Sequence, residues 1–456
     1  MLQRGVGAGM GVRARVVAAC IMGVMVSPAL ATGFFLNQQS VQGLGRTDAG
    51  NAVAAGDPST VYSNPAGLPY LWRDSATQGS NTLFAFSTHL IIPTSDHVNT
   101  GSTATTPGSG GAAVRYAGVN FSDPTEPTPV PNMFIAHKLA GDNAYVGLAI
   151  TSPFGLSAKY SDDWFGRYDA TEVSLRTVNF AMVGAYQFTP ALSVGGGLDV
   201  QYARSKLVQA VPNPLNAGGP TAATDARAES TGTAWTPGFN IGAMYQADDA
   251  TRFGLHYRSA MRHKITGTVT TTGLTGALAA GNGVVGATSQ LNLPQIVTAG
   301  VMRRIGDKLT VYGEIDWYGW SIVKELRVQF DNGTADAVRP ANYRNTFAYA
   351  VGADYSWSER LTVRGGVQLD FTPTVDATRD TTFPDSDRIV FAAGASYRFN
   401  RRTYFDFAAG HVKFRTAGIG ITRSFFTGTA VASTATISDS VTPSVTTVSA
   451  QVRYAF

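Results

Sequence analysis

The stretch "FAYAVGADYSWSERLTVRGGVQLDF", residues 347–371, alternates too regularly for anything but paired strands. Phe347, Tyr349, Val351, Ala353, Tyr355 and Trp357 occupy every second position, with Ala348, Ala350, Gly352, Asp354 and Ser356 between them. Successive side chains of an extended strand point to opposite faces, so the large apolar residues share one face. Ser358-Glu359-Arg360 interrupts the pattern and turns the chain. The return run sets Leu361, Val363, Gly365, Val367, Leu369 and Phe371 on one face and Thr362, Arg364, Gly366, Gln368 and Asp370 on the other. One face suits lipid and the other a polar interior.

The same hairpin recurs at 180–202 around Thr189-Pro190, at 239–257 around Asp248-Asp249 and at 297–317 around Gly306-Asp307. Further turns fall at Gly141-Asp142-Asn143 and Asn400-Arg401-Arg402. Twelve strands follow. An opening strand near 81–92 and a closing one near 445–456 bring the count to about fourteen, an even number as bacterial membrane barrels have. The third strand runs from Ala144 to about Pro153. Between the hairpins lie long Gly/Thr/Ser/Asn-rich connections at 93–130, 152–173, 209–232, 271–290 and 416–441. Short turns at one rim and long loops at the other match an outer-membrane barrel.

Composition agrees. Charged residues make up 14% of the chain, well below the roughly 25% of soluble domains, while no later stretch is apolar for long enough to be a spanning helix. Strands that hide half their residues in lipid account for the low charge. The first residues carry Arg4, Arg13 and Arg15, an apolar run from Val16 to Val26, and "SPALA" ending at Ala31. That order predicts a cleavable export signal over 1–31. Without its three arginines the balance is 32 basic to 31 acidic residues, which gives no basic surface for nucleic acid. The only cysteine, Cys20, lies in that leader, so no disulfide, thiol nucleophile or zinc-thiolate site is expected in the remainder.

Between the leader and the first strand, "GLGRTDAGNAVAAGD" is rich in small residues and "VYSNPAGLPY" carries Asn64-Pro65, Gly67 and Pro69. These break any continuous helix or strand. A barrel of fourteen strands encloses more space than its own side chains fill, since eight strands already give a packed interior. Residues 32–75 are therefore expected to plug the lumen, with 76–456 forming the barrel.

These residues carry a resemblance. "TGFFLNQQSVQGLGRTDAGNAVAAGDPSTVYSNPAGL" resembles the N-terminal hatch of the FadL family of outer-membrane long-chain fatty-acid and hydrocarbon transporters. The likeness rests on Gly33-Phe34, Asn37, Gly43-Leu44-Gly45-Arg46, Ala49-Gly50 and the Asn64-Pro65-Ala66 triplet. "SPFGL" at 152–156, "DDWFGRY" at 162–168 and the terminal Phe456 are similar to the family's pattern too. The resemblance implies a monomeric channel without cofactor that takes up a long-chain fatty acid or another hydrophobic small molecule. Release would be sideways into outer-membrane lipid, through a kink in the third strand.

Residue by residue, the resemblance places Phe34 at the ligand pocket, with Phe35 adding a second aromatic that either lines the pocket or anchors the plug. Gly43, Gly45, Arg46, Asn64, Pro65 and Ala66 are expected to shape the hatch. Gly147, Pro153 and Gly155 are candidates for the lateral exit, because Gly weakens a strand and Pro removes a ladder donor; alternatively Gly147 packs on the hatch and Pro153 starts a loop. A fatty carboxylate would want a lumenal cation. Parity puts Arg252, His256, Arg258, Arg364 and Arg388 on the inner face, where most should pair with Asp199, Glu314, Asp316, Asp354 and Asp370. "LTGALAAGNGVV" at 274–285 is a candidate apolar capture segment.

Other functions fit less well. The six histidines, at 89, 97, 137, 256, 263 and 411, are scattered with no serine motif beside them, so a lipase-type barrel is not indicated. Asp162-Asp163 lacks the rest of a calcium loop. A general diffusion porin is the stronger alternative, since it shares the barrel, but it has no hatch; an uptake channel for aromatic hydrocarbons is a further one.

Overall fold

A computed structural model of the chain describes residues 33–73, 80–122, 127–141 and 143–456. The expected export signal, the exact boundary at residue 75 and Asp142 of the first turn lie outside the described residues. The wall is a closed antiparallel barrel of fourteen strands. They are β1 (Thr82–Asn99), β2 (Thr128–Lys138), β3 (Ala144–Thr151, resumed as Gly155–Lys159), β4 (Glu172–Gln187), β5 (Leu192–Val211) and β6 (Ala226–Gln246). Next come β7 (Thr251–Arg258 and Met261–Thr272), β8 (Gly283–Leu293 and Ile296–Ile305) and β9 (Leu309–Tyr318 and Glu325–Phe330). The circle is completed by β10 (Ala337–Pro340 and Thr346–Ser356), β11 (Leu361–Asp370), β12 (Arg388–Arg398), β13 (Thr403–Phe414 and Ala417–Phe425) and β14 (Ser433–Ala455). β14 returns to β1 in unbroken register from Leu83↔Ala455 to Asn99↔Asp439. No edge is left at that seam, as a membrane demands.

The hairpin at 347–371 pairs Gly352 with Gly366 and Ala348 with Asp370, so the two apolar faces coincide. Val351 is 64% exposed toward the lipid side while Ala348, one strand face away, is fully buried. Parity alone separates them.

Several expected bounds change. β1 runs to Asn99 instead of ending near Ile92, and β14 begins at Ser433, well before Val445. β13 resumes over Ala417–Phe425, inside a stretch read as loop, and β6 and β8 likewise start within expected connections. These segments are rich in Thr, Ser and Gly and so read as loop, although in β13 and β14 Ile419, Ile421, Ala435, Ile437 and Val441 alternate and are buried beneath the long loops. Cross-strand hydroxyl pairs support these extensions: Thr422 with Thr436 at 2.9 Å, Thr416 with Thr442 at 3.0 Å, and Thr94 with Ser444 at 2.7 Å. β3 stops at Thr151, two residues short of the expected Pro153.

Residues 33–73 fold inside the circle. Short helices α1 (Val41–Gly45), α2 (Thr60–Ser63) and α3 (Leu68–Arg73) are joined by turns. Ser40 caps α1, its Oγ accepting from Gly43 N at 3.1 Å. Pro65 opens a turn of 3-10 helix, Pro65–Gly67, where its missing N–H costs nothing.

Candidate functional site

Among the described residues, the wall between β2 and β3 has a discontinuity that the hatch covers from within. β2 and β3 pair only from Met133↔Ile150 to Lys138↔Tyr145, and the resumed Gly155–Lys159 pairs with β4 alone. Pro153 has no N–H to give, which suits a break here. The freed backbone groups turn to the hatch: Leu36 N donates to Pro153 O at 2.7 Å, and Gly155 N donates to Phe34 O at 3.0 Å. Phe35 and Phe154 thus form an antiparallel bridge. Gln39 spans the gap, donating from Nε2 to Ser152 O at 3.4 Å and accepting from Asn132 Nδ2 at 3.3 Å. Pro153 and Gly155 therefore sit in the break. Gly147 does not: it lies in the paired part of β3, where an added Cβ would meet Val61 of the hatch at 2.5 Å.

Behind the break an aromatic cluster gathers around the N-terminal segment. Phe34 meets Trp320, Phe383 and Phe154 edge-on with centroids at 4.8, 5.8 and 6.1 Å. Phe35 packs on Phe154 at 5.1 Å and Tyr318 at 5.8 Å. Met261, Leu293 and Ile296 from the wall complete an apolar compartment. The side chains are packed against one another and exclude water, so an apolar guest would enter only by displacing Phe34 or Phe35.

The rest of the hatch is fastened by close approach. Gly43 faces the Asn51 amide, and Gly45 lies against the Arg364 side chain. Arg46 donates to Asp354 at 2.8 Å and to Ala49 O at 3.0 Å, and covers the Tyr312 ring at 4.5 Å. Asn64 Nδ2 donates to Ala52 O at 2.8 Å and reaches Ala243 O and Leu255 O on β6 and β7 at 3.4 Å. Ala66 N donates to Asn64 Oδ1 at 3.1 Å, and Ala66 O accepts from Ser193 on β5 at 2.6 Å. On the wall side, added Cβ atoms at Gly254 and Gly366 would sit 2.1 Å from Ala52 O and Arg46 O. These glycines admit the hatch backbone; hairpin parity put Gly366 on the inner face, but no sequence feature said what lay opposite.

Asp48 bears on how firmly the hatch docks. Burial pushes its carboxyl up to about 6, against the Asn51 amide and Arg46, which favour the charged form. A raised value in the folded state means a stabilising contribution that is complete below about pH 4 and lost as pH rises through about 6. Two units correspond to at most about 3 kcal/mol. Asp48→Asn keeps the acceptor for Asn51 Nδ2, now 3.0 Å away, and tolerates the left-handed backbone at φ 67. It should firm the hatch at pH 8 and flatten the pH dependence between 4 and 8, measured as protease protection of residues 43–67.

Each lumenal arginine proposed from sequence is engaged, whereas His256 Nε2 meets no partner among the described residues. Arg258 donates to Asp199 at 2.7 Å, and Arg388 to Asp370 at 2.8 Å and to Asp385. Arg364 meets Asp354 at 3.3 Å. Arg252 donates to Gln246 Oε1 at 2.8 Å and lies 3.8 Å over the Tyr70 ring. Glu314 and Asp316 accept from Ala52 N at 2.9 Å and Thr298 Oγ1 at 2.6 Å.

At the long-loop rim, "DDWFGRY" forms the core of a cap. Trp164 stacks on Tyr160 with centroids 3.8 Å apart and donates to Ala170 O at 2.7 Å. Arg167 donates to Asp225 at 2.9 Å and to Ala117 O at 2.9 Å. Asp169, fully buried, accepts from Arg339 Nη1 at 2.9 Å, Arg423 Nε at 2.8 Å, and Thr381 N and Oγ1 at 2.8 and 2.6 Å. Burial works to raise its carboxyl, yet Arg423 and Arg339 hold it below the usual range. One carboxylate thereby joins the β3–β4 loop to β10, β13 and the β11–β12 loop. Sequence reasoning missed Asp169, Arg339 and Arg423, which lie far apart in the chain. Within the segment at 274–285, Gly276–Gly281 is an exposed 3-10 turn and Gly283 begins β8.

Known proteins share this architecture. A long-chain fatty acid transport protein of Escherichia coli (strain CFT073) is 27% identical over 420 residues, 86% of this chain and 90% of that one. Outer membrane protein P1 of Haemophilus influenzae is 27% identical over 405 residues, 84% of this chain and 86% of that protein. Among solved structures, a Pseudomonas aeruginosa FadL homologue superposes with a TM-score of 0.81 at 21% identity, covering 93% of this chain and all of the other. The Ralstonia pickettii toluene transporter TbuX gives 0.62 at 20% identity, covering 93% and 99%. The family described as "Outer membrane protein transport protein (OMPP1/FadL/TodX)" matches residues 22–456. The chain belongs to this family and is an outer-membrane transporter of hydrophobic compounds.

Proposed function

We propose that the protein carries long-chain hydrophobic molecules, fatty acids foremost, passively across the outer membrane and releases them sideways at the break in β3. The carrying observation is that the wall between β2 and β3 is interrupted at Ser152–Phe154 and covered only from within, by Phe34–Gln39. A guest that displaced this segment from the aromatic compartment would uncover the break and find lipid beyond it. The fatty acid reading draws on the names of relatives aligned along most of their length, and the toluene transporters among the structural neighbours keep aromatic hydrocarbons as the second cargo to test. A lumen filled by residues 33–73 weighs against a general diffusion porin. The barrel closes on itself, so one chain suffices in this scheme.

Phe34 is the contact to test. Phe34→Ala removes an aromatic contact worth on the order of 1–3 kcal/mol at about 25 cal/mol per Å². Ligand affinity should fall roughly tenfold or more. Titration with a fatty acid and single-channel recording on the same preparation separate the roles: unchanged affinity with increased leakage would leave Phe34 as an anchor of the plug.

A further inference from the structure

On the lipid side of the wall, far round the circle from the β2–β3 gap, four neighbouring strands break at one level. β7 is interrupted between Arg258 and Met261, β8 between Leu293 and Ile296, β9 between Tyr318 and Glu325, and β10 between Pro340 and Thr346. The register aligns these breaks, since Arg258 pairs with Ile296, Ile296 with Tyr318, and Tyr318 with Thr346. A niche of about 270 Å³ dents the wall there, lined by Arg262, Gln295, Trp317, Ser321 and Asn345 among others. It opens outward: Trp317 shares a strand face with Ile315, which is 47% exposed, whereas Asp316 and Tyr318 on the opposite face are buried.

The niche lies where the outer face turns from apolar to polar. On β7 that face passes from Phe253, Leu255 and Tyr257 to Arg262 and Lys264, and on β8 from Val301 and Val297 to Gln295. This is the long-loop half of the barrel, so the niche sits at the surface of the outer leaflet.

Its lining offers donors. The Asn345 carbonyl is fixed by the backbone, accepting from Ser321 N at 2.9 Å, so the amide nitrogen is left to donate. Gln295 Oε1 accepts from Tyr257 OH at 3.1 Å, which leaves its amide nitrogen likewise. Arg262 is exposed, and neither it nor Lys264, two residues along the same face, has a hydrogen bond or ion pair among the described residues. Other cations toward the long loops do have acids: Lys206 meets Glu172 and Arg327 meets Glu325, both at 2.7 Å. No acid is among the niche's lining residues. A guanidinium and two amide donors without an acid suit a phosphoryl group.

We infer that this niche binds a phosphoryl group of an outer-leaflet glycolipid, the lipid A anchor of lipopolysaccharide, through Arg262, Gln295 and Asn345. Height and charge together select this source: a phosphate at the leaflet surface meets the donors while its acyl chains lie along Ile315, Phe347 and Tyr349, which are exposed on the same face. Held there, the glycolipid stands clear of the β2–β3 gap.

The test uses the purified full chain, stripped of bound lipid and kept in detergent with EDTA so that no divalent cation bridges the contact. Bisphosphorylated lipid A, the same lipid A after phosphatase treatment, and phosphatidylglycerol are titrated, and bound lipid is counted by native mass spectrometry. The bisphosphorylated form should bind about tenfold more tightly than the dephosphorylated one, as one or two charge-assisted hydrogen bonds would give. Asn345→Asp keeps the acceptor for Ser321 N but sets a negative charge in place of the donor, and Arg262→Gln removes the cation. Each should cut the preference to about twofold, while Lys413→Gln, an exposed cation on β13, should leave it unchanged. Heat-modifiable migration on gels checks that each variant folds. Equal binding of the two lipid A forms, or a preference that survives both niche substitutions, overturns the site. Phosphatidylglycerol binding as tightly as lipid A, or displacement of lipid A by millimolar inorganic phosphate, overturns its assignment to a glycolipid.

Discussion

Gly254→Val combined with Gly366→Val should turn a closed barrel into a leaky one. The added Cβ atoms would lie 2.1 Å from Ala52 O and Arg46 O, and neither oxygen can yield, because both belong to the hatch backbone. Overpacking of this kind costs on the order of 1–3 kcal/mol per site. The hatch has few ways to accommodate it: Asn64 ties it to β6 and β7, and Arg46 ties it to Asp354 on β10. The wall has no such conflict, since Gly254 pairs with Met244 and Gly300 through backbone groups that valine keeps, and valine suits a strand. Heat-modifiable migration on gels should therefore persist, while planar-bilayer recordings show steady conductance absent from the parent. A variant that stays closed and transports normally would mean that the hatch is held elsewhere.

The second large effect is expected at the cap. Asp169→Ala leaves Arg339 without its carboxylate and Arg423 with only Asp380 at 2.7 Å. Removing one member of a buried ion pair costs about 3–5 kcal/mol, because the partner charge stays buried and uncompensated. Four separate segments meet at this one carboxylate, so the loss should loosen the cap without touching the membrane band. Trypsin applied to intact cells should then cut after Arg423, and large hydrophobic antibiotics should enter more readily; Arg339 precedes Pro340, a bond that trypsin does not cut. Asp163→Ala, at an exposed neighbour in the same loop, is the control and should change neither. Continued resistance of Arg423 to trypsin would show that the aromatic stack of Tyr160 and Trp164 holds the cap alone.

What could be read in the chain was what the membrane enforces. Phe347 to Phe371 must alternate because one face meets lipid, and so the turn at Ser358–Arg360, the pairing of its arms and the inward side of Arg364 all followed from parity. The inner-face arginines were legible for the same reason, and so was the expectation that most would pair with inner-face acids; which acid met which arginine, as Arg258 meets Asp199 and Arg388 meets Asp370, was not. Toward the rim the signal weakens: in Ala417–Phe425 and the first half of β14 one face is Gly, Thr and Ser, and although Ile419, Ile421, Ala435, Ile437 and Val441 alternate on the other and are buried in the cap, the composition read as loop. The break in β3 was legible at Pro153 and Gly155, since proline subtracts a donor from the ladder. Gly147 looked similar, yet its missing side chain makes room for Val61. Contacts between distant segments left no local trace. Asp169 needs Arg339, Thr381 and Arg423, and nothing around any of them announces the others.

Lateral release through the β2–β3 gap is tested most directly by closing the gap. Asn132 and Ser152 face each other across it, Ser152 N lying 3.4 Å from Asn132 Oδ1. The chain has no cysteine after Cys20, so Asn132→Cys and Ser152→Cys can be joined by a reducible thiol crosslinker with no competing site. Uptake of radiolabelled oleate by cells carrying the crosslinked protein should fall to the level of cells without it and return on reduction. Oleate uptake that is unchanged with the gap closed would contradict lateral release at β3.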